Sequence, residues 1–260
     1  MENVDILITM QEDLKRALKK PEKDRKLAML IDMRKCSRCH ACTAGCVAEN
    51  ASPPGILYRP VFEEEKGTFP KVKRLSIARP CMQCDDPPCV AACPNKGKGK
   101  ATWKSSEGVS AGIVMINYEQ CIGCGKCVPA CPYRARALDS GKFHSENAPA
   151  VPEYEKRPSD EYGRKWERKP PHLPVGTARK CHFCLHRVKN GMLTMCTTTC
   201  TCRANYFGDE SDPESLIAKV KKANKVVEIT KVTDQDPQTG KVAFGKSATR
   251  PRVYYIPQEA

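Results

Sequence analysis

Apolar positions along this chain come in short groups, and only a few of them have a spacing that selects an element. The first twenty residues, MENVDILITMQEDLKRALKK, space Ile, Leu and Met among charges as one amphipathic helix that ends before Pro21. We take residues 1–26 as an N-terminal helical arm rather than an export signal, because acids come early and no apolar run leads into a small-residue cleavage site. Near the other end, SLIAKVKKA reads as a helix. VVEITKV and KVAF, joined across DPQTG, read as a hairpin, and the final RPRVYYIP reads as an extended docking arm. Residues 212–260 are therefore expected to be a C-terminal extension. The stretch 141–177, rich in Pro, Lys, Glu and Tyr, reads as an irregular insertion with little core of its own, whose Trp166 and tyrosines would lie against a partner. Residues 95–112, NKGKGKATWKSSEGVSAG, read as a solvated basic loop within a hairpin-bearing segment. No run of about 20 apolar residues is present to span a bilayer.

These groups add up to little aliphatic core. Mean hydropathy is −0.54 and aromatics are 6% of the 260 residues. Disulfides or metal would then have to hold the chain together, and 17 cysteines are available. Sixteen of them fall into four motifs. CSRCHACTAGC holds Cys36, Cys39, Cys42 and Cys46; CMQCDDPPCVAAC holds Cys81, Cys84, Cys89 and Cys93. CIGCGKCVPACP holds Cys121, Cys124, Cys127 and Cys131; CHFCLHRVKNGMLTMCTTTC holds Cys181, Cys184, Cys196 and Cys200. Cysteines at i, i+3 and i+6 wrap one iron–sulfur cubane in a tight loop, with Gly123 and Gly125 tolerating close backbone approach. The fourth cysteine, at the start of a helix, points toward a second cluster, as in two-cluster ferredoxins. A zinc site would instead use two Cys-x-x-Cys pairs set a dozen or more residues apart, and only the fourth motif approaches that spacing. His40 and His182 lie inside these loops, but with every thiol position filled they are not needed as ligands. Cys202 is left over and is expected to pack as a small buried hydrophobe.

The net charge of +14 suggests a nucleic acid or lipid partner until the cysteines are counted. Each cubane with four thiolates carries roughly −2, so four would bring the loaded chain to about +6. Much of the Lys and Arg excess then neutralises cofactor, and no nucleic acid is expected.

Exchange of fourth cysteines pairs the inner motifs, two and three, with each other, and the outer motifs, one and four, close around them. The result is an α+β fold of two interleaved ferredoxin-like modules: one split over 27–80 and 178–211, one continuous over 81–140. In motif content and order, with CDDPPCVAACP, CIGCGKCVPACPYRAR, RKCHFCLHRV and YFGDESDPESL, residues 27–220 resemble the four-cluster electron-transfer (beta) subunit of the molybdopterin oxidoreductases. That family serves dimethyl sulfoxide, polysulfide, thiosulfate, tetrathionate and arsenate reductases. The resemblance implies four [4Fe–4S] clusters and no substrate catalysis in this chain. It implies four ligand sets: Cys36, Cys39, Cys42 with Cys200; Cys181, Cys184, Cys196 with Cys46; Cys81, Cys84, Cys89 with Cys131; and Cys121, Cys124, Cys127 with Cys93. It also implies two partners, a molybdopterin catalytic subunit and a membrane quinone-reactive subunit. Membrane association would come through those partners, on the extracytoplasmic face if a signal-bearing subunit carries the chain across; a cytoplasmic location also stays open. Thr201 departs from the family, many of whose members have Pro after that cysteine. Two other readings stay open at this point: a soluble polyferredoxin serving a cytoplasmic hydrogenase, formate dehydrogenase or molybdenum transhydroxylase, and a zinc-stabilised interaction protein.

Overall fold

A computed structural model describes residues 5–168 and 173–258. Parts of three expected segments lie outside the described residues: 1–4 of the helical arm, 169–172 of the insertion, and 259–260 of the tail. The N-terminal helix runs Ile6–Leu18, with the Asp5 carboxylate accepting from the Leu7 N–H at 2.9 Å. Its Met10, Leu14 and Ala17 form one buried stripe, and the helix packs against the strand Asn205–Asp209.

That strand belongs to a three-stranded sheet at the centre of the molecule. Leu27–Asp32 is the middle strand, with Asn205–Asp209 antiparallel on one side and Val253–Ile256 parallel on the other. Met29 stands at the crossing, opposite both Phe207 and Val253. All six residues of the middle strand are buried, as a strand covered on both faces must be. The expected docking arm is therefore a core strand: VYYI is buried throughout and gives its hydrogen bonds to the sheet. The helix Leu216–Ala223 and the hairpin Glu228–Val232 with Val242–Gly245 form where their patterns predict. One continuous apolar core joins the N-terminal helix, the central sheet, the tail and the cysteine loops. It is larger than the average polarity suggests, because short wholly buried runs such as LAMLID vanish in a mean taken over so many surface charges.

Two other segments differ from expectation for a shared reason. Thr102–Lys104 and Val114–Ile116 pair as a hairpin, but the basic loop containing it is not simply solvated. Lys104 turns inward and donates to the carbonyls of Gln83 and Cys84, each at 2.8 Å, and pairs with Asp85 at 3.0 Å. The 141–177 insertion is likewise pinned, its two ends held by the ladder between Ala137–Leu138 and Ala178–Arg179. Glu161, at the end of its strand Ser159–Glu161, is wholly buried and accepts from the hydroxyls of Tyr58 and Tyr118 and from Arg179. Trp166 packs edge-on against Tyr118, 5.1 Å between centroids, and donates to the Glu161 carbonyl. The residues expected to meet a partner thus meet the protein's own polar interior, while Tyr154 stays exposed.

Candidate functional site: four cysteine tetrads

All 17 cysteines are free thiols. The sixteen in motifs gather into four groups of four, and each group draws on two motifs. One cavity is lined by Cys36, Cys39, Cys42 and Cys200, a second by Cys46, Cys181, Cys184 and Cys196, and another by Cys93, Cys121, Cys124 and Cys127. Cys81, Cys84, Cys89 and Cys131 make the remaining group, close enough that their charges act on one another. In the order implied by shared motifs, we call these the first, second, third and fourth tetrads: Cys36/39/42/200, Cys46/181/184/196, Cys81/84/89/131 and Cys93/121/124/127.

The loops share a local shape. The second residue after each leading cysteine has positive φ: Arg38 (63°), Gln83 (48°), Gly123 (68°) and Phe183 (56°). This left-handed step turns the backbone so that the cysteine after it faces the same space as the one before it. Only one motif uses glycine there, and at Gly123 a side chain would also strike the Gly176 carbonyl oxygen. The fourth cysteines do not begin helices. Cys46 lies inside the helix Ala41–Asn50, and Cys93 and Cys200 lie just past the short helices Pro88–Ala91 and Met195–Thr198. The helices start at or just before the third cysteine, so the fourth follows a turn later and opens onto the neighbouring tetrad.

Burial divides the tetrads. Every cysteine of the second and third is buried, whereas the first and fourth each contain one exposed thiol, Cys39 and Cys124. Burial pushes the Cys181 and Cys84 thiols up to about 12 and Cys131 to about 11, with nearby cysteines adding to the shift. Such thiols are held as thiolates only by a metal's charge.

The sulfurs also collect donors. The N–H groups of Ala135, Phe183 and Ala204 point at Cys131, Cys181 and Cys200 at 3.4, 3.4 and 3.1 Å. Asn50 Nδ2 donates to the Cys46 carbonyl at 2.8 Å and reaches Cys46 Sγ at 3.4 Å. Asn50 is held by His182, whose Nε2 faces Asn50 Oδ1 at 3.1 Å while Nδ1 accepts from the Leu185 N–H. Both ring nitrogens are occupied, and burial pushes the imidazole down to about 3, so it stays neutral. His182 thus acts on sulfur through Asn50 and ligates nothing. His40 is exposed and faces Glu63 at 3.4 Å. Cys202, expected to be buried, is exposed at the rim of the first cavity, beside the Ser37 hydroxyl at 3.2 Å. Thr201 sets its hydroxyl 3.5 Å from Cys39 Sγ.

Three buried arginines complete the setting. Arg59, Arg79 and Arg136 are at most 2% exposed, none is in an ion pair with a carboxylate among the described residues, and each has guanidinium N–H groups without a hydrogen-bond partner. Arg59, Arg79 and Asn50 carry no motif signal, whereas Arg136 closes the stretch CIGCGKCVPACPYRAR that begins with the third motif.

The residues present fit iron–sulfur cubanes. The donors are all sulfur, three of the tetrads line a cavity rather than converging on a point, and unpaired buried cations await negative charge. Among the described residues no three His, Cys, Asp or Glu side chains converge as ligands of a single ion, which is what a zinc knuckle would need. What the fold and site define is a multi-cluster iron–sulfur protein of ferredoxin type. Residues 114–137 match the 4Fe-4S binding domain family and 172–210 the 4Fe-4S dicluster domain family. The selenate reductase B subunit from Mesobacillus selenatarsenatis is 47% identical over 98% of this chain and 80% of that protein. The iron–sulfur subunit of an arsenate respiratory reductase from a Shewanella strain is 30% identical over 89% of this chain and 96% of its own. The tetrathionate reductase B subunit from Salmonella typhimurium is 30% identical over 88% of this chain and 71% of that protein. The chain belongs to the family of iron–sulfur beta subunits of the molybdopterin oxidoreductases.

Proposed function

We propose that this chain relays electrons, one at a time, through four [4Fe–4S] clusters between a molybdopterin catalytic subunit and a membrane quinone-reactive subunit. Each tetrad is the ligand set of one cluster, and the chain folds as two interleaved modules, 27–80 with 178–211 around 81–140. The observation that carries this reading is the grouping of cysteines from different motifs around separate cavities, with buried tetrads inside and one exposed thiol at either end. Electrons enter and leave where a cluster approaches the surface and are shielded from solvent between. The chain's own residues supply thiolate ligands, N–H donors and fixed cations; the clusters supply the redox chemistry. No helix among the described residues is long and apolar enough to cross a membrane, so membrane association comes through a partner. Because relatives are named for selenate, arsenate and tetrathionate reductases, the terminal reaction is oxyanion reduction, with selenate the first substrate to test.

The test is reoxidation. The chain, purified anaerobically with its catalytic partner and reduced by dithionite, should bleach and then recover its brown absorbance on addition of selenate; the chain alone should stay reduced. Recovery by the chain alone would contradict a pure relay. A complex indifferent to selenate, arsenate and tetrathionate would contradict the oxyanion assignment.

A further inference from the structure

The buried arginines are placed in series with the tetrads. Arg59 lines the cavity of the second tetrad and donates Nη2 to Asn205 Oδ1, and the Asn205 side chain lines the cavity of the first. Burial works against its charge, but the cysteines acting on it, Cys196 and Cys42, belong one to each of those tetrads and more than offset it. Arg136 lines the fourth cavity, and the cysteines acting on it are Cys89, Cys127 and Cys81, from the third and fourth tetrads. Arg79 stands two residues before Cys81 of the third tetrad, next to Pro80, which lines the second. Its neighbouring thiols are Cys131, Cys81 and Cys181, again from two tetrads. Other compensation is slight: no carboxylate among the described residues pairs with any of these cations, Arg79 lies 5.6 Å over the Phe62 ring, Arg136 Nη2 donates to the Thr102 hydroxyl, and Arg59 Nε, Arg79 Nε and Nη1, and Arg136 Nε have no acceptor. Leaving three guanidinium groups buried and unpaired would be costly unless negative charge arrives on both sides.

We propose that Arg59, Arg79 and Arg136 are fixed cationic spacers, one in each gap of the cluster series, each raising the reduction potentials of the two clusters it separates. A cation between two clusters stabilises an added electron on either one and offsets the repulsion when both are reduced. Neighbouring potentials then stay close, and each hop is nearly level. Arginine suits the position because its planar fork presents donors to both sides.

This inference rests on the four-cluster reading, and the test separates the two. Potentials are measured by paramagnetic-resonance redox titration of the holo-chain, with iron counted in the same samples. Arg59→Gln should keep its iron and shift the reduction equilibrium of the first and second clusters roughly tenfold toward the oxidised state, about 59 mV for a one-electron couple. The third and fourth clusters should not move. Arg136→Gln should shift the third and fourth only, and Arg79→Gln the second and third. Arg→Lys at each site should hold the original potentials. Full iron with unchanged potentials, a shift spread over all four clusters, or Lys variants that behave like Gln would overturn the proposal. If a Gln variant loses iron, restoration by Lys supports a charge requirement, and equal loss in the Lys variant overturns it in favour of packing. A wild-type chain short of four clusters would overturn the underlying reading, and the spacer role with it.

Discussion

At the scale of single residues, the left-handed step inside each Cys-x-x-C loop is the constraint that substitutions should expose. Gly123 and Gly125 both have positive φ, so Ala at either adds about 1–2 kcal/mol of backbone strain. Only at Gly123 does the new methyl also meet a backbone oxygen, that of Gly176; at Gly125 it meets a Leu138 methyl at 3.3 Å. Gly123→Ala is expected to yield protein with substoichiometric iron, and Gly125→Ala protein with full iron and slightly lowered thermal stability; iron analysis beside a melting curve tests the ranking. Asn50 gives a finer prediction. Its N–H reaches Cys46 Sγ, and such bonds stabilise the reduced, more negative cluster. Asn50→Leu should therefore lower the potential of the cluster of Cys46, Cys181, Cys184 and Cys196 and leave that of Cys93, Cys121, Cys124 and Cys127 unchanged, which a redox titration resolves. The grouping of the sixteen cysteines was legible in sequence because such spacing lets one loop turn three thiols toward a shared space. Asn50 was not, since it becomes a sulfur donor only when His182, far along the chain, fixes its amide.

At the scale of elements, patterns that act locally were readable and those completed by distant pairing were not. The N-terminal helix, the helix Leu216–Ala223 and the tail hairpin each have their own cap, stripe or turn. RPRVYYIP has none, and its apolar run is equally suited to an exposed arm or a buried strand. Its partner, Leu27–Asp32, decides the matter from the opposite end of the chain. The same segment braces a cysteine loop: Arg252 N–H donates to the Met82 carbonyl at 2.9 Å, Arg252 Nε pairs with Asp85 at 2.7 Å, and Arg250 pairs with Asp86. Truncation before residue 247 should then remove more than a tail. We expect loss of soluble protein or, where some survives, loss of the cluster of Cys81, Cys84, Cys89 and Cys131 before the others. A truncated chain with all its iron and an unchanged melting point would contradict this role. The insertion offers the same lesson, because a Pro- and Lys-rich composition gave no sign that Glu161 would be buried against Arg179 and two tyrosines.

At the scale of the whole molecule, the proposed exchange of fourth cysteines would tie the parts together. Cys46→Ala should damage the cluster of Cys181, Cys184 and Cys196 and spare that of Cys36, Cys39 and Cys42, while Cys200→Ala should do the reverse. Paramagnetic resonance of the reduced variants distinguishes this from four self-contained motifs, in which each mutant would lose its local cluster. The overall polarity was a poor guide to the core, yet a good guide to the charge: a basic excess that looks like a nucleic-acid signature is partly spent on buried arginines facing thiols. The proposed relay and its cationic spacers both rest on four complete cysteine tetrads. Their most direct test is the iron and acid-labile sulfide content of the anaerobically purified chain, for which four cubanes predict about 16 of each. Repeated preparations saturating near twelve iron, or carrying stoichiometric zinc in its place, would contradict them.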